Sequence, residues 1–186
     1  MRDLIKILFI VFLYASMPQA YAKDDYSNQT FIKVGVFDFK HQTDMLAIGK
    51  KKITENKIDL PYLGNLEQIF DIILMTDLKE SLTFDNQDGL DEREEYAIYF
   101  SSGYQKNFNL SENINILPSF SVGLYNEFDQ GKDMGFPIEF KSEIELNFRT
   151  KNNFVYGVTY SHISNANIGN KNPGSDSIMF GFRYKN

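Results

Sequence analysis

The stretch Ile138-Glu139-Phe140-Lys141-Ser142-Glu143-Ile144-Glu145-Leu146-Asn147-Phe148-Arg149 decides the fold. One parity carries Ile138, Phe140, Ser142, Ile144, Leu146 and Phe148. The other carries Glu139, Lys141, Glu143, Glu145, Asn147 and Arg149. Successive side chains of a β-strand point to opposite faces, so this segment makes one apolar face and one charged face. A half-buried strand of a water-soluble sheet also alternates. Length separates the two cases. The alternation here holds over about twelve residues, against roughly five or six in a typical soluble strand. A tilted strand that crosses a bilayer needs about nine to eleven.

The pattern recurs in both directions. Ile114, Ile116, Phe120, Val122 and Leu124 alternate with Asn115, Ser119, Ser121 and Gly123. Tyr96, Ile98, Phe100, Tyr104 and Phe108 alternate with Ala97, Ser101, Gly103, Gln105 and Asn107. Phe154, Tyr156, Val158 and Tyr160 alternate with Gly157, Thr159 and Ser161. Ile178, Phe180, Phe182 and Tyr184 alternate with Ser177, Gly181, Arg183 and Lys185. Near the start, Ile32, Val34 and Val36 alternate with Lys33 and Gly35. In a bilayer the apolar parity must face lipid and the polar parity must fill the barrel interior.

Six strands are clear. Two weaker ones are expected around Met45 to Glu55 and within Leu66 to Met75, which makes an eight-stranded antiparallel transmembrane β-barrel. That is a common small barrel, with an interior filled by side chains. Glu139, Lys141, Glu143, Glu145, Arg149 and Arg183 are expected to pair inside it. For Leu66 to Leu78 a short amphipathic helix is the alternative, since short apolar runs fit both. Connections alternate in length. Those near Asn109–Asn113 and Thr150–Asn152 are short, and those over Asn126–Phe136 and Asn167–Gly174 are long. Outer-membrane barrels have short periplasmic turns and longer outer loops, which places the long connections outside.

Arg2 and Lys6 flank a basic start. An apolar run from Ile7 to Tyr14 follows, then Pro18 and the small-x-small site Ala20-Tyr21-Ala22. The run is too short for a membrane-spanning helix. Residues 1–22 therefore read as a cleaved secretory signal peptide, leaving 23–186 as the barrel domain. The formal net charge of −6 in 186 residues argues against nucleic acid as a partner. No cysteine is present, which excludes disulfides, thiolate metal sites and cysteine nucleophiles. With His41 and His162 the only histidines, no histidine-based metal site is expected. The acidic stretch Asp85–Glu95 fails the calcium-loop pattern because Phe84 stands where the first ligand belongs, so it reads as a solvated loop.

Polar groups on the apolar parity are the functional signal. His162 and Ser164 lie two apart and share parity with Tyr156, Val158 and Tyr160. Asp176 shares parity with Ile178 and Phe180. Ester hydrolysis needs a nucleophilic hydroxyl, a base and a group that orients the base. Three polar side chains directed at lipid are costly unless they serve a use. An alternative is a non-catalytic small barrel that binds lipopolysaccharide or serves adhesion or envelope structure.

Several motifs together resemble one family. They are Gly123-Leu124-Tyr125, Gly135-Phe136-Pro137-Ile138-Glu139-Phe140, Ser161-His162-Ile163-Ser164-Asn165-Ala166 and Asn172-Pro173-Gly174, with an echo at Gly35-Val36-Phe37-Asp38. Over about residues 95–184 the chain resembles the outer-membrane lipid A 3-O-deacylases, also called acyloxyacyl hydrolases. The resemblance implies a serine esterase in an eight-stranded barrel that removes the 3-O-linked acyl chain of lipid A in lipopolysaccharide. It implies Ser164 as nucleophile, His162 as general base and Asp176 as orienting acid, where characterised members carry a glutamate. Asn165 and Asn172 would bind the oxyanion or substrate. The implied setting is the bacterial outer membrane, among its lipids, with the active site at the outer leaflet and no cofactor. A homodimer stays open.

Overall fold

The computed structural model describes residues 29–40, 45–77, 96–128, 132–152 and 154–184. The expected signal peptide, His41 and the acidic stretch Asp85–Glu95 lie outside them. Nine strands follow in order: β1 (Gln29–Phe37), β2 (Met45–Leu60), β3 (Gly64–Asp77), β4 (Tyr96–Gln105), β5 (Phe108–Asn109), β6 (Ile114–Phe128), β7 (Ile138–Arg149), β8 (Phe154–Ser164) and β9 (Ser175–Tyr184). Neighbours pair antiparallel in the order β4-β3-β2-β1-β9-β8-β7-β6, and a β4–β6 ladder closes the ring. The two-residue β5 only continues the path of β4 along β6, with Phe108 opposite Ile116. The result is the expected barrel of eight staves. Closure leaves no unpaired sheet edge to face lipid.

Parity decides which way side chains point. Along β7, Glu139, Lys141, Glu143, Glu145 and Asn147 are buried, while Ile138, Ile144 and Phe148 are exposed. The same alternation runs down β8, with Phe154, Tyr156, Val158 and Tyr160 exposed. The exposed apolar side chains of neighbouring strands make the continuous belt that a barrel presents to lipid.

Within the weak 41–94 region, the described residues 45–77 form two strands joined by a short turn. The segment from Leu66 is not a helix. It lies inside β3, which pairs with β2 from Gly64 to Asp77 and with β4 from Glu67 to Thr76. Its inward residues are Ile69, Asp71, Ile73 and Met75. Phe70, Ile72 and Leu74 have the opposite parity. Apart from Asp71 both faces are apolar, so the period of two is weak. The β2 strand runs beyond Glu55 to Leu60, with a register shift between Ile53 and Lys57 that breaks its alternation.

The interior is layered rather than polar throughout. Toward the rim with long loops, Phe37, Ile73, Met75, Tyr99, Tyr125, Ile163 and Met179 belong to one apolar cluster. Toward the rim with short turns, Phe31, Ile53, Ile69 and Val155 form another. Between them lies an ionic layer. Lys33 reaches Glu143 at 3.2 Å and Glu145 at 3.0 Å, and Lys51 reaches them at 3.0 and 3.3 Å. Lys141 reaches Glu143 at 3.1 Å and also Asp71. Three ammonium groups thus face three carboxylates, which makes the layer neutral as buried charges require.

Part of the expected interior pairing is corrected here. Glu143, Glu145 and Lys141 do pair, mostly with partners from β1, β2 and β3. The Glu139 carboxylate has no hydrogen-bond partner among the described residues, and neither have Nε and Nη1 of Arg183. Arg149 is exposed at the end of β7. Register is the reason: these three side chains stand above or below the ionic layer.

Candidate active site

Antiparallel register sets His162 on β8 directly opposite Asp176 on β9. Their side chains meet, Nδ1 to Oδ1 at 3.3 Å. The imidazole is half exposed and the carboxylate is nearly buried, with side-chain exposures of 46 % and 5 %. Both stand on the outward parity, as expected. With Nδ1 committed to the carboxylate, Nε2 is the nitrogen left to act as a base.

Ser164 follows two residues along β8 on the same side, and alternate strand residues are about 7 Å apart. Among the described residues no hydrogen bond joins its hydroxyl to the imidazole. Catalytic hydrogen bonds are commonly long before substrate tightens them. Across the β7 ladder Ser164 faces Phe140, and His162 faces Ser142. Phe140 stacks on Phe120 with centroids 6.0 Å apart. The polar trio is thus flanked by the apolar belt.

Asp176 has more partners than expected. Tyr160 donates its hydroxyl to Oδ1, the same oxygen that faces His162, and Lys40 contacts Oδ2 at 3.0 Å. Hydrogen bonding to Asp176, and then to Tyr160, holds the Lys40 ammonium above the ordinary lysine range. Lys40 and Tyr160 were missed as site residues because nothing in their local sequence distinguishes them. Only the β1–β9 and β8–β9 ladders bring them to Asp176.

The loop between β8 and β9 is built to hold this edge. Ala166 and Asn167 take positive φ of 53° and 61° and turn the chain back, and Ile168 N–H bonds Asn165 O at 3.0 Å. Asn165 is fully buried. Its Nδ2 donates to Met134 O at 2.9 Å and Lys171 O at 2.7 Å, and its backbone N–H donates to Asn172 Oδ1 at 3.1 Å. All three of its donors are spent, two within this loop and one on Met134 of the β6–β7 connection, so an oxyanion role would require exchanging one of them. Asn172 is half-buried and donates to Asn167 at 3.3 Å, which uses one of its two amide hydrogens. Gly174 has φ +62°, and a Cβ there would stand 3.0 Å from His162 Cε1. The Asn-Pro-Gly motif therefore ends in glycine both for the backbone conformation and to let the imidazole lie against it.

A second loop clamps the first. Lys171 pairs with Asp133, and Lys132 donates to Gly174 O at 2.6 Å while contacting Asp38 at 2.6 Å. Lys171 first, and then the Gly135 N–H, hold the Asp133 carboxyl below the usual aspartate range. Asp38 is buried at the end of β1, in the motif Gly35-Val36-Phe37-Asp38. No cluster of three or more metal-ligating side chains occurs among the described residues.

Residues 80–185 match a family model described as lipid A 3-O-deacylase (PagL). Among solved structures, the crystal structure of the outer membrane enzyme PagL is similar at a TM-score of 0.55 and 15 % identity. The match covers 85 % of this chain and 99 % of that one. The crystal structure of Ail, the attachment invasion locus protein of Yersinia pestis, is similar at a TM-score of 0.49 and 14 % identity, with 85 % and 98 % coverage. No curated protein matches the chain.

Proposed function

Because the chain belongs to the lipid A 3-O-deacylase (PagL) family, we propose that it is a serine esterase of the bacterial outer membrane that hydrolyses the acyl ester at the 3-position of lipid A. The observation that carries this reading is the cross-strand pair of His162 and Asp176, with Ser164 beside it, on a side of the barrel that otherwise faces lipid. A water-soluble ester has no reason to be met there. An ester held in one leaflet reaches it by lateral diffusion, its acyl chains lying along Phe140, Tyr160 and Ile178. The long-loop rim faces outward in this reading, which places the site at the outer leaflet, where lipopolysaccharide resides.

The chemistry follows from the arrangement. Ser164 Oγ attacks the acyl carbonyl as His162 Nε2 takes its proton. The tetrahedral oxyanion collapses and expels the sugar 3-oxygen, which receives that proton from the imidazolium. The acyl group is left on Ser164. Water then attacks the acyl-enzyme with His162 again as base, releasing the fatty acid and restoring the hydroxyl. Asp176 fixes the ring through Nδ1 and stabilises the imidazolium. Asn172 is the better-placed oxyanion donor of the two asparagines, while Asn165 holds the loop in shape. One such donor is typically worth about 2.7–4 kcal/mol.

The test is release of the 3-linked fatty acid from lipid A by the purified, folded barrel, comparing wild type with Ser164→Ala. Release by wild type and none by the variant is expected. Equal turnover by the two would remove Ser164 from the mechanism. A wild type that binds lipid A without releasing acid would leave a non-catalytic binder.

A further inference from the structure

Lys40 lies just past the end of β1, where the chain is tied to the strand that carries Asp176. Phe37 is opposite Ser177 in the β1–β9 ladder, and Phe39 N–H donates to Asp176 O at 3.3 Å. Asp38 between them takes φ 61° and is buried, in contact with Lys132 at 2.6 Å. Lys132 also donates to Gly174 O, so the same side chain grips the glycine against which the imidazole lies. From this anchored backbone the Lys40 ammonium reaches Asp176 Oδ2 at 3.0 Å and Tyr160 Oη at 3.4 Å. It lies 6.0 Å from the Phe39 ring centroid and 5.8 Å from that of Tyr160, within the range of cation–π attraction. A lysine at the rim, exposed to solvent, is thus drawn to one place.

The need is set by Asp176. Its carboxylate is nearly buried on the parity that otherwise faces lipid. A lone anion there is costly, and an opposite charge in contact offsets the cost. The torsion that orients a carboxylate is soft, so contacts to one oxygen alone let the group swing. Here Oδ1 takes the Tyr160 hydroxyl and faces His162, while Oδ2 takes Lys40. We infer that Lys40 is a positioning residue for the hydrolysis: it balances the Asp176 charge and turns the carboxylate so that Oδ1 stays on His162 Nδ1. It acts through Asp176 and needs no contact with substrate. Its effect on turnover rests on the esterase reading of the site; its hold on the imidazole does not.

The experiment compares the purified, folded barrel with Lys40→Met and Lys40→Arg in micelles. It reads acyl release from lipid A and the His162 ring by nitrogen NMR of histidine-labelled protein. Lys40→Met keeps an apolar stem without the charge. Its kcat should fall about tenfold through a misplaced ring, with KM within about twofold of wild type because substrate contacts are unchanged. Lys40→Arg should restore most of the loss, and heat-modifiable gel mobility should be the same in all three. In an Asp176→Asn background, Lys40→Met should change the residual release by less than about twofold, because the two substitutions act through one contact. The ring signals of His162 should show one tautomer in wild type, with the proton on Nδ1, and exchange between tautomers in Lys40→Met. If wild type releases no fatty acid while that NMR difference is seen, the esterase reading fails and the positioning stands. Wild-type kcat in Lys40→Met, or an unchanged His162 tautomer, would overturn the positioning role. So would a raised KM with kcat unchanged, which would make Lys40 a contact for a substrate phosphate instead.

Discussion

His162 and Asp176 are directly opposed residues of adjacent antiparallel strands, and their side chains touch at 3.3 Å. A carboxylate on the shorter aspartate side chain therefore already reaches the imidazole.

Reach is thus not limiting, which fixes the expected order of variants. Asp176→Asn should lose on the order of 10³–10⁴ in kcat, because the amide no longer holds the imidazole in the working tautomer. Asp176→Glu adds a methylene where Lys40 and Tyr160 already crowd the carboxylate. It should lose about ten- to a hundredfold by misplacing the ring. Steady-state acyl release measures both. A glutamate variant faster than wild type would show that the observed pair is too loose for catalysis.

Gly174→Ala probes the wall behind the imidazole. The new Cβ would sit 3.0 Å from His162 Cε1 on a backbone at φ +62°. The strain at such a φ is roughly 1–2 kcal/mol, small against a closed barrel. Activity should fall well before folding does, read as lost acyl release with unchanged heat-modifiable gel mobility. A fully active alanine variant would mean that His162 does not rest against this glycine during turnover.

Much of this was legible in the sequence, and the reasons are local. Alternation in β7 and β8 is visible because one face meets lipid and the other meets Glu143, Glu145 or Ser161. β3 is only weakly marked because Ile69, Ile73 and Met75 are inward and apolar as well, packing the upper and lower interior clusters. His162, Ser164 and Asp176 could be singled out as candidates because polar groups on an apolar parity are anomalous. Lys40, Tyr160 and the Asp38–Lys132 contact could not, since only pairing between distant strands makes them neighbours. The donors of Asn165 likewise have no sequence signature that tells loop-holding from substrate binding.

The ionic layer predicts where the barrel is most sensitive inside. Glu143 accepts from Lys33, Lys51 and Lys141. Glu143→Gln leaves three buried ammonium groups facing two carboxylates. Breaking one partner of such a set typically costs about 3–5 kcal/mol. Urea unfolding in micelles should register it, and Glu143→Gln with Lys51→Met should recover part of the loss. A single variant as stable as wild type would mean that water reaches the layer.

The outward face gives a complementary expectation. Leu146 lies opposite Val158 and Ile116 in the lipid-facing belt. Leu146→Arg should cost about 2–4 kcal/mol if the position lies near the bilayer midplane, and folding into vesicles should show it. Glu112→Arg, in the short-turn rim, should be close to neutral. Equal tolerance of the two changes would place Leu146 away from lipid.

The loop clamp carries a pH dependence whose sign can be worked out. Asp133 is held below its ordinary range by Lys171 and then by the Gly135 N–H. A carboxyl with a depressed folded-state value stabilises the fold above its unfolded pKa, about 3.9, and loses that contribution as pH falls through the lower folded value. Both side chains are more than half exposed, so solvent screening limits the pair to about 0–1 kcal/mol. The effect should therefore appear in loop protection rather than in barrel stability. Hydrogen exchange at Gly135 N–H should be faster in Asp133→Asn than in wild type by a constant factor from neutral pH down to about pH 4. The two should converge only below that, once the wild-type carboxyl is protonated as well. Convergence already near neutrality would mean that Asp133 does not hold the two loops together.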